Sequence, residues 1–133
     1  MGSGKRKDAA TRPMSLSRPA LQDQIPLAEQ IRRHLFYSQA KSPSLATSRD
    51  HFMALSLAVR DRLLQNWVNT AETYTSQGVR TAAYLSAEYL LGPHLENNLV
   101  NLGLRREAEE ACQELGLNLE ELIACEPEPG HPL

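Results

Sequence analysis

Thr47-Ser48-Arg49-Asp50-His51-Phe52-Met53-Ala54-Leu55 opens the stretch that decides how this 133-residue chain folds. Thr47 and Asp50 stand at the spacing at which a hydroxyl and a carboxylate satisfy each other's backbone N–H groups at a helix start. Behind them Phe52, Leu55, Val59, Leu63, Trp67, Ala71 and Tyr74 recur every three or four residues until Gly78. That period predicts one helix over about 48–77 with a single apolar stripe, roughly seven turns long, closed by a glycine stop. On this reading Phe52, Leu55, Val59, Leu63 and Trp67 all lie on one buried face.

Upstream, Pro26 suits a first helical turn, and Leu27, Ile31 and Leu35 fall four apart, which predicts a short amphipathic helix over about 26–38. Lys41-Ser42-Pro43-Ser44 then requires a turn before Thr47. Residues 1–25, with Gly2, Gly4, Pro13, Pro19 and several serines, lack apolar periodicity and are expected to form a flexible arm. Downstream, Thr81-Ala82-Ala83-Tyr84-Leu85-Ser86 is short and uncharged and reads as a buried strand. Gly92-Pro93 breaks the chain. Helices are expected over about 94–102, ended by Gly103, over 104–115, stopped by Gly116, and over 119–124, capped by Asn118. A lone strand leaves its N–H and C=O groups without partners, so the chain reads as part of a larger sheet-containing domain.

Composition narrows the function classes. Hydrophobic residues make up 41% and charged residues 23%, an ordinary globular balance that excludes global disorder. No apolar run reaches the roughly 18–20 residues that cross a bilayer, and Met1 to Pro26 has no signal-peptide stretch, which predicts a soluble cytoplasmic protein without a membrane partner. Residues 1–60 carry ten Lys/Arg against four Asp/Glu, and residues 61–133 four against twelve. Only Lys5, Arg6 and Lys7 are contiguous and no aromatic interleaves them, so no nucleic-acid partner is expected. His34, His51, His94 and His131 lack metal-ligand spacing, and no metal site is expected. Cys112 and Cys125 lack a CxxC spacing and read as reduced structural thiols. Glu88 stands just past the expected strand, where α/β proteins place functional groups. Asn97 and Asn98 read as amides that satisfy nearby backbone.

The run Tyr84-Leu85-Ser86-Ala87-Glu88-Tyr89-Leu90-Leu91-Gly92-Pro93-His94-Leu95-Glu96-Asn97-Asn98-Leu99-Val100-Asn101-Leu102-Gly103 resembles the N-terminal part of the α-glucan phosphorylases, the glycogen, starch and maltodextrin enzymes. Upstream support comes from Arg33-His34-Leu35, Ala46-Thr47-Ser48-Arg49-Asp50-His51-Phe52, Ala54-Leu55, Val59-Arg60-Asp61 and Trp67. Leu115-Gly116-Leu117 and Leu119-Glu120-Glu121-Leu122 extend it, so the resemblance covers about residues 27–130.

The resemblance implies an α/β fold, of which this chain is a mostly helical section with one strand of a Rossmann-like N-terminal domain. It also implies a homodimeric enzyme that uses inorganic phosphate to release glucose 1-phosphate from α-1,4-glucan. Pyridoxal 5′-phosphate is the implied cofactor, held by a lysine in the C-terminal half. The resemblance places Glu88 and Leu90 near the cofactor cleft and assigns no catalytic residue to this chain. Where family members continue into a glycine-rich loop after the position of Gly130, His131-Pro132-Leu133 stands here. The expectation is therefore a truncated phosphorylase, inactive alone. A different class, a stand-alone helical module that binds a partner through the stripe of helix 48–77, is opposed by the strand expected at 81–86.

Overall fold

The computed structural model describes residues 24–87, 90 and 92–127. Its α-helices are α1 (Leu27–Arg33), α2 (Ser48–Gln77), α3 (Leu95–Asn101), α4 (Arg105–Glu114) and α5 (Leu119–Ile123). A π-helical turn, His34–Ser38, continues α1. The helix bounds expected from sequence hold to within a residue or two at most ends, the ordinary latitude of frayed termini.

Local chemistry sets most of these ends. The Asp50 N–H donates to Thr47 Oγ1 at 3.3 Å, and the Thr47 N–H donates to Asp50 Oδ2 at 2.8 Å, closing the capping box that starts α2. Gly78 ends α2 at φ 59°, a left-handed conformation that costs a glycine little. The Asn118 side chain accepts from the N–H groups of Glu120 and Glu121 at the start of α5. The start of α3 is capped from a distance, because Glu126 accepts from the N–H groups of His94 and Leu95 at 2.8–3.3 Å.

The N-terminal half of α2 is the spine on which α1, the π-turn, α3 and α5 pack, with α4 against α1. One cluster joins Leu27, Ile31 and Leu35 to Phe52, Leu55 and Val59 of α2. Leu95, Leu99, Ala108, Cys112, Leu119 and Leu122 also belong to it. Arg62 closes the packed half as a buried cation, donating to the Ile25 carbonyl at 3.1 Å and to Glu107 Oε1 at 3.4 Å. An aliphatic stem with a paired guanidinium makes such burial tolerable.

Two expectations fail. The stripe of α2 is not buried along its whole length: Leu55 is fully covered, whereas Leu63 is 36% and Trp67 69% exposed, and Tyr74 is also exposed. The partners α1, α3 and α5 are short and reach only the first turns, so the apolar period outruns what covers it. The strand expected at 81–86 is absent, and the described residues contain no strand. Tyr84 is 93% and Leu85 92% exposed. With no neighbouring strand to pair with, an extended segment turns its backbone groups to water.

Candidate functional site

The positions singled out from sequence do not converge on a reaction centre among the described residues. Glu88 lies outside the described residues. Leu90 is exposed, and its carbonyl accepts from His94 Nε2 at 2.9 Å. Asn97 and Asn98 sit on α3, where the Asn98 backbone continues the helix from His94 to Leu102. Arg105 gathers Glu96, Glu109 and Glu120, and hydrogen bonding to Glu109 and then Glu96 holds its guanidinium pKa above the ordinary value. This cluster ties α3, α4 and α5 together. Cys112 is buried, and burial pushes its thiol pKa up, the opposite of an activated nucleophile.

Two surface features concentrate side chains with chemical or binding potential. The first is a hydrogen-bonded row at the π-turn. His34 Nε2 donates to Asp61 Oδ2 at 3.0 Å, and Nδ1 of the same ring shares a hydrogen bond with Ser38 Oγ at 3.0 Å. Gln30, Arg33 and Tyr37 complete the wall of a cavity of about 190 Å³ beside it. The row fastens the π-turn to α2 by joining a carboxylate on one element to a helical i, i+4 pair on the other. Sequence reasoning set His34 aside as a scattered histidine. The His34–Ser38 spacing was readable, but Asp61 is brought in only by the packing of α1 on α2.

The second feature is a groove of about 490 Å³ on the uncovered part of α2, lined by Trp67, Val68, Ala71, Glu72, Thr75 and Ser76. Its walls are mostly apolar and come from one helix, so it offers a surface for packing and no convergent acid, base or nucleophile. Among the described residues no cluster of three His, Cys, Asp or Glu side chains is placed to hold a metal. No described helix is long and apolar enough to cross a membrane.

No protein-family model matches the chain. Over 97 residues, 73% of its length, the chain is 57% identical to the glycogen phosphorylase of Synechocystis. The chain is a relative of the glycogen phosphorylases. It is 38% identical to the human brain form over 128 residues, 96% of the chain, and 38% identical to the human liver form over 104 residues, 78% of the chain. It spans 11%, 15% and 12% of the lengths of these three phosphorylases. The phosphorylase resemblance of the 84–103 run thus extends to nearly the whole chain. The matched region is a small part of each of these much larger proteins.

Proposed function

We propose that this chain is the N-terminal section of an α-glucan phosphorylase of the bacterial type, a glycosyltransferase that releases glucose 1-phosphate from α-1,4-glucan with inorganic phosphate. The reading places the activity in the cytoplasm and in a homodimer, and assigns the section an α/β context in the complete enzyme. The 57% identity to the Synechocystis enzyme over 97 residues carries it. In such an enzyme the 48–62 core would serve as scaffold, and 81–86 would find its strand partners in the remainder of the protein.

Pyridoxal phosphate, the cofactor implied by the resemblance, does not fit the described residues. Covalent attachment needs a lysine amine held in a closed pocket. Lys41 is half-exposed on the turn before α2, with its amine 3.7 Å from Asp50 Oδ2. No lysine lines the cavity beside His34, the groove on α2, or a third cavity of about 330 Å³ between Glu109, Cys112 and Glu120. We accordingly place the cofactor, the phosphate and the glucan on other parts of the complete enzyme, and keep for Glu88 and Leu90 only proximity to the cleft.

The exposed groove of α2 also suits the second reading, a helical module that binds a partner through this face, and the absence of a strand at 81–86 removes one argument against it. The coding DNA beyond the codon for Leu133 separates the two. A reading frame encoding a glycine-rich loop and a phosphorylase remainder supports the enzyme reading. Unrelated sequence after a stop, in an intact gene, supports the module.

A further inference from the structure

We propose that Ser38 is an activated nucleophile, with His34 as its general base and Asp61 as the group that orients that base, and that the site transfers the acyl group of small carboxylic esters. This goes beyond the phosphorylase reading and does not depend on it. A serine hydroxyl is a weak nucleophile until a base stands within hydrogen-bond reach and a third group holds that base. Here Ser38 Oγ lies 3.0 Å from His34 Nδ1, and His34 Nε2 lies 3.0 Å from Asp61 Oδ2. The three side chains form one unbranched relay, which is recognised by geometry and role rather than by order along a chain.

The chemistry of each group assigns its part. An ionised carboxylate only accepts hydrogen bonds, so the proton between Asp61 and His34 sits on Nε2. When the ring is neutral its unprotonated nitrogen is then Nδ1, the one that faces the Ser38 hydroxyl. The relay runs from covered to open: the His34 and Asp61 side chains are 20% and 27% exposed, whereas Ser38 is open to solvent. A sheltered base beside an accessible nucleophile suits acyl transfer. His34 and Ser38 also bound the π-helical turn, a rare conformation that recurs at functional sites.

The cavity of about 190 Å³ beside the row gives an ester room to meet Ser38. Its size suits a short acyl group. Arg33 and Tyr37 bring a guanidinium and a phenol to the same wall, donors available to a carbonyl oxygen that gains charge. In the reaction Ser38 Oγ bonds to the carbonyl carbon while its proton passes to His34 Nδ1. The ester C–O bond then breaks and the departing alkoxide takes that proton, leaving acyl-Ser38. Water repeats the exchange through His34, releasing the carboxylic acid and restoring the Ser38 hydroxyl. Asp61 stays ionised throughout and balances the imidazolium.

Diisopropyl fluorophosphate, which phosphorylates activated serines with loss of fluoride, tests this on the whole 133-residue chain, with peptide mass spectrometry following each serine. Ser42 and Ser44, whose hydroxyls bond to each other at 3.0 Å, are the internal reference. Ser38 should label about a hundredfold faster than either, the lower end of what general-base assistance supplies. Ser38→Ala should also slow release of 4-nitrophenolate from 4-nitrophenyl acetate at least about tenfold. His34→Gln, which can still bond Asp61 but takes up no proton, and Asp61→Asn should bring Ser38 labelling down to the reference rate while circular dichroism stays that of the parent. Equal labelling of the three serines in the parent chain would overturn the proposal whatever the variants do. So would a folded His34→Gln or Asp61→Asn that labels like the parent, or 4-nitrophenolate release that Ser38→Ala leaves unchanged.

Discussion

Truncating Leu55 and Leu63 to alanine, one at a time, separates a core that ends near Arg62 from one that runs the length of α2. Leu55 is fully buried in the cluster that joins α1 to α2, so Leu55→Ala removes buried methyl and methylene groups and leaves a cavity. The transfer loss alone is about 2 kcal/mol at roughly 0.8 kcal/mol per methylene, and the unfilled space brings the total to about 2–5 kcal/mol. Leu63 is 36% exposed, beyond the turns of α2 against which the other described helices pack. Its truncation opens no enclosed cavity and gains a little helix propensity, so the loss should stay at about 1 kcal/mol or less. Urea titration followed by circular dichroism at 222 nm measures both, with the midpoint shift converted through a common slope. A small domain with a typical marginal stability of about 5 kcal/mol would lose a large share of it to Leu55→Ala and little to Leu63→Ala. Losses equal to within about 0.5 kcal/mol would refute the division of α2 into covered and uncovered halves.

Ala40, held at φ 54° where the π-turn ends, is the non-glycine residue with positive φ among those described, and Ala40→Gly should raise stability by up to about 1 kcal/mol in the same titration. Hydrogen bonds from the Thr47 backbone, then its side chain, and the nearby Lys41 amine hold the Asp50 carboxyl below its ordinary pKa. Because the folded value is depressed, this contribution is present above the unfolded pKa of roughly 4 and is lost as pH falls through the folded value. Asp50→Asn should therefore destabilise at pH 7 and lose that effect near pH 2, as thermal melts at the two pH values would show. The purified chain, incubated with pyridoxal phosphate and reduced with borohydride, should give no stoichiometric adduct by mass and no glucan-dependent release of glucose 1-phosphate. A single modified lysine with turnover would show that the chain holds a site absent from its described residues.

The parts of the fold legible in the sequence are those fixed within a few residues. Thr47 with Asp50, Gly78 and Asn118 each terminate a helix through bonds to their own neighbours, and each stands where spacing put it. The depth of the core was less legible. A three-to-four-residue period states which side of a helix is apolar, but where burial stops depends on the reach of α1, α3 and α5. The strand at 81–86 failed for the related reason that a strand is defined by its partner, and alternation or apolarity in one segment cannot supply one. Burial of Arg62 and the meeting of His34 with Asp61 depend on contacts across tens of residues, which no local pattern encodes. For function, spacing alone reached only exclusions, and the phosphorylase reading came from the long run at 84–103.

A chimera tests the central claim most directly. Residues 27–127 of this chain would replace the segment they align with in the Synechocystis glycogen phosphorylase, and glucose 1-phosphate release from glycogen would be measured alongside the parent enzyme. If this chain is a working phosphorylase N-terminal section, its core, helix caps and 81–86 segment should dock on the parent remainder, and kcat/KM should stay within about tenfold of the parent. A chimera with the parent's mass and circular dichroism but activity reduced more than about a hundredfold would contradict the account.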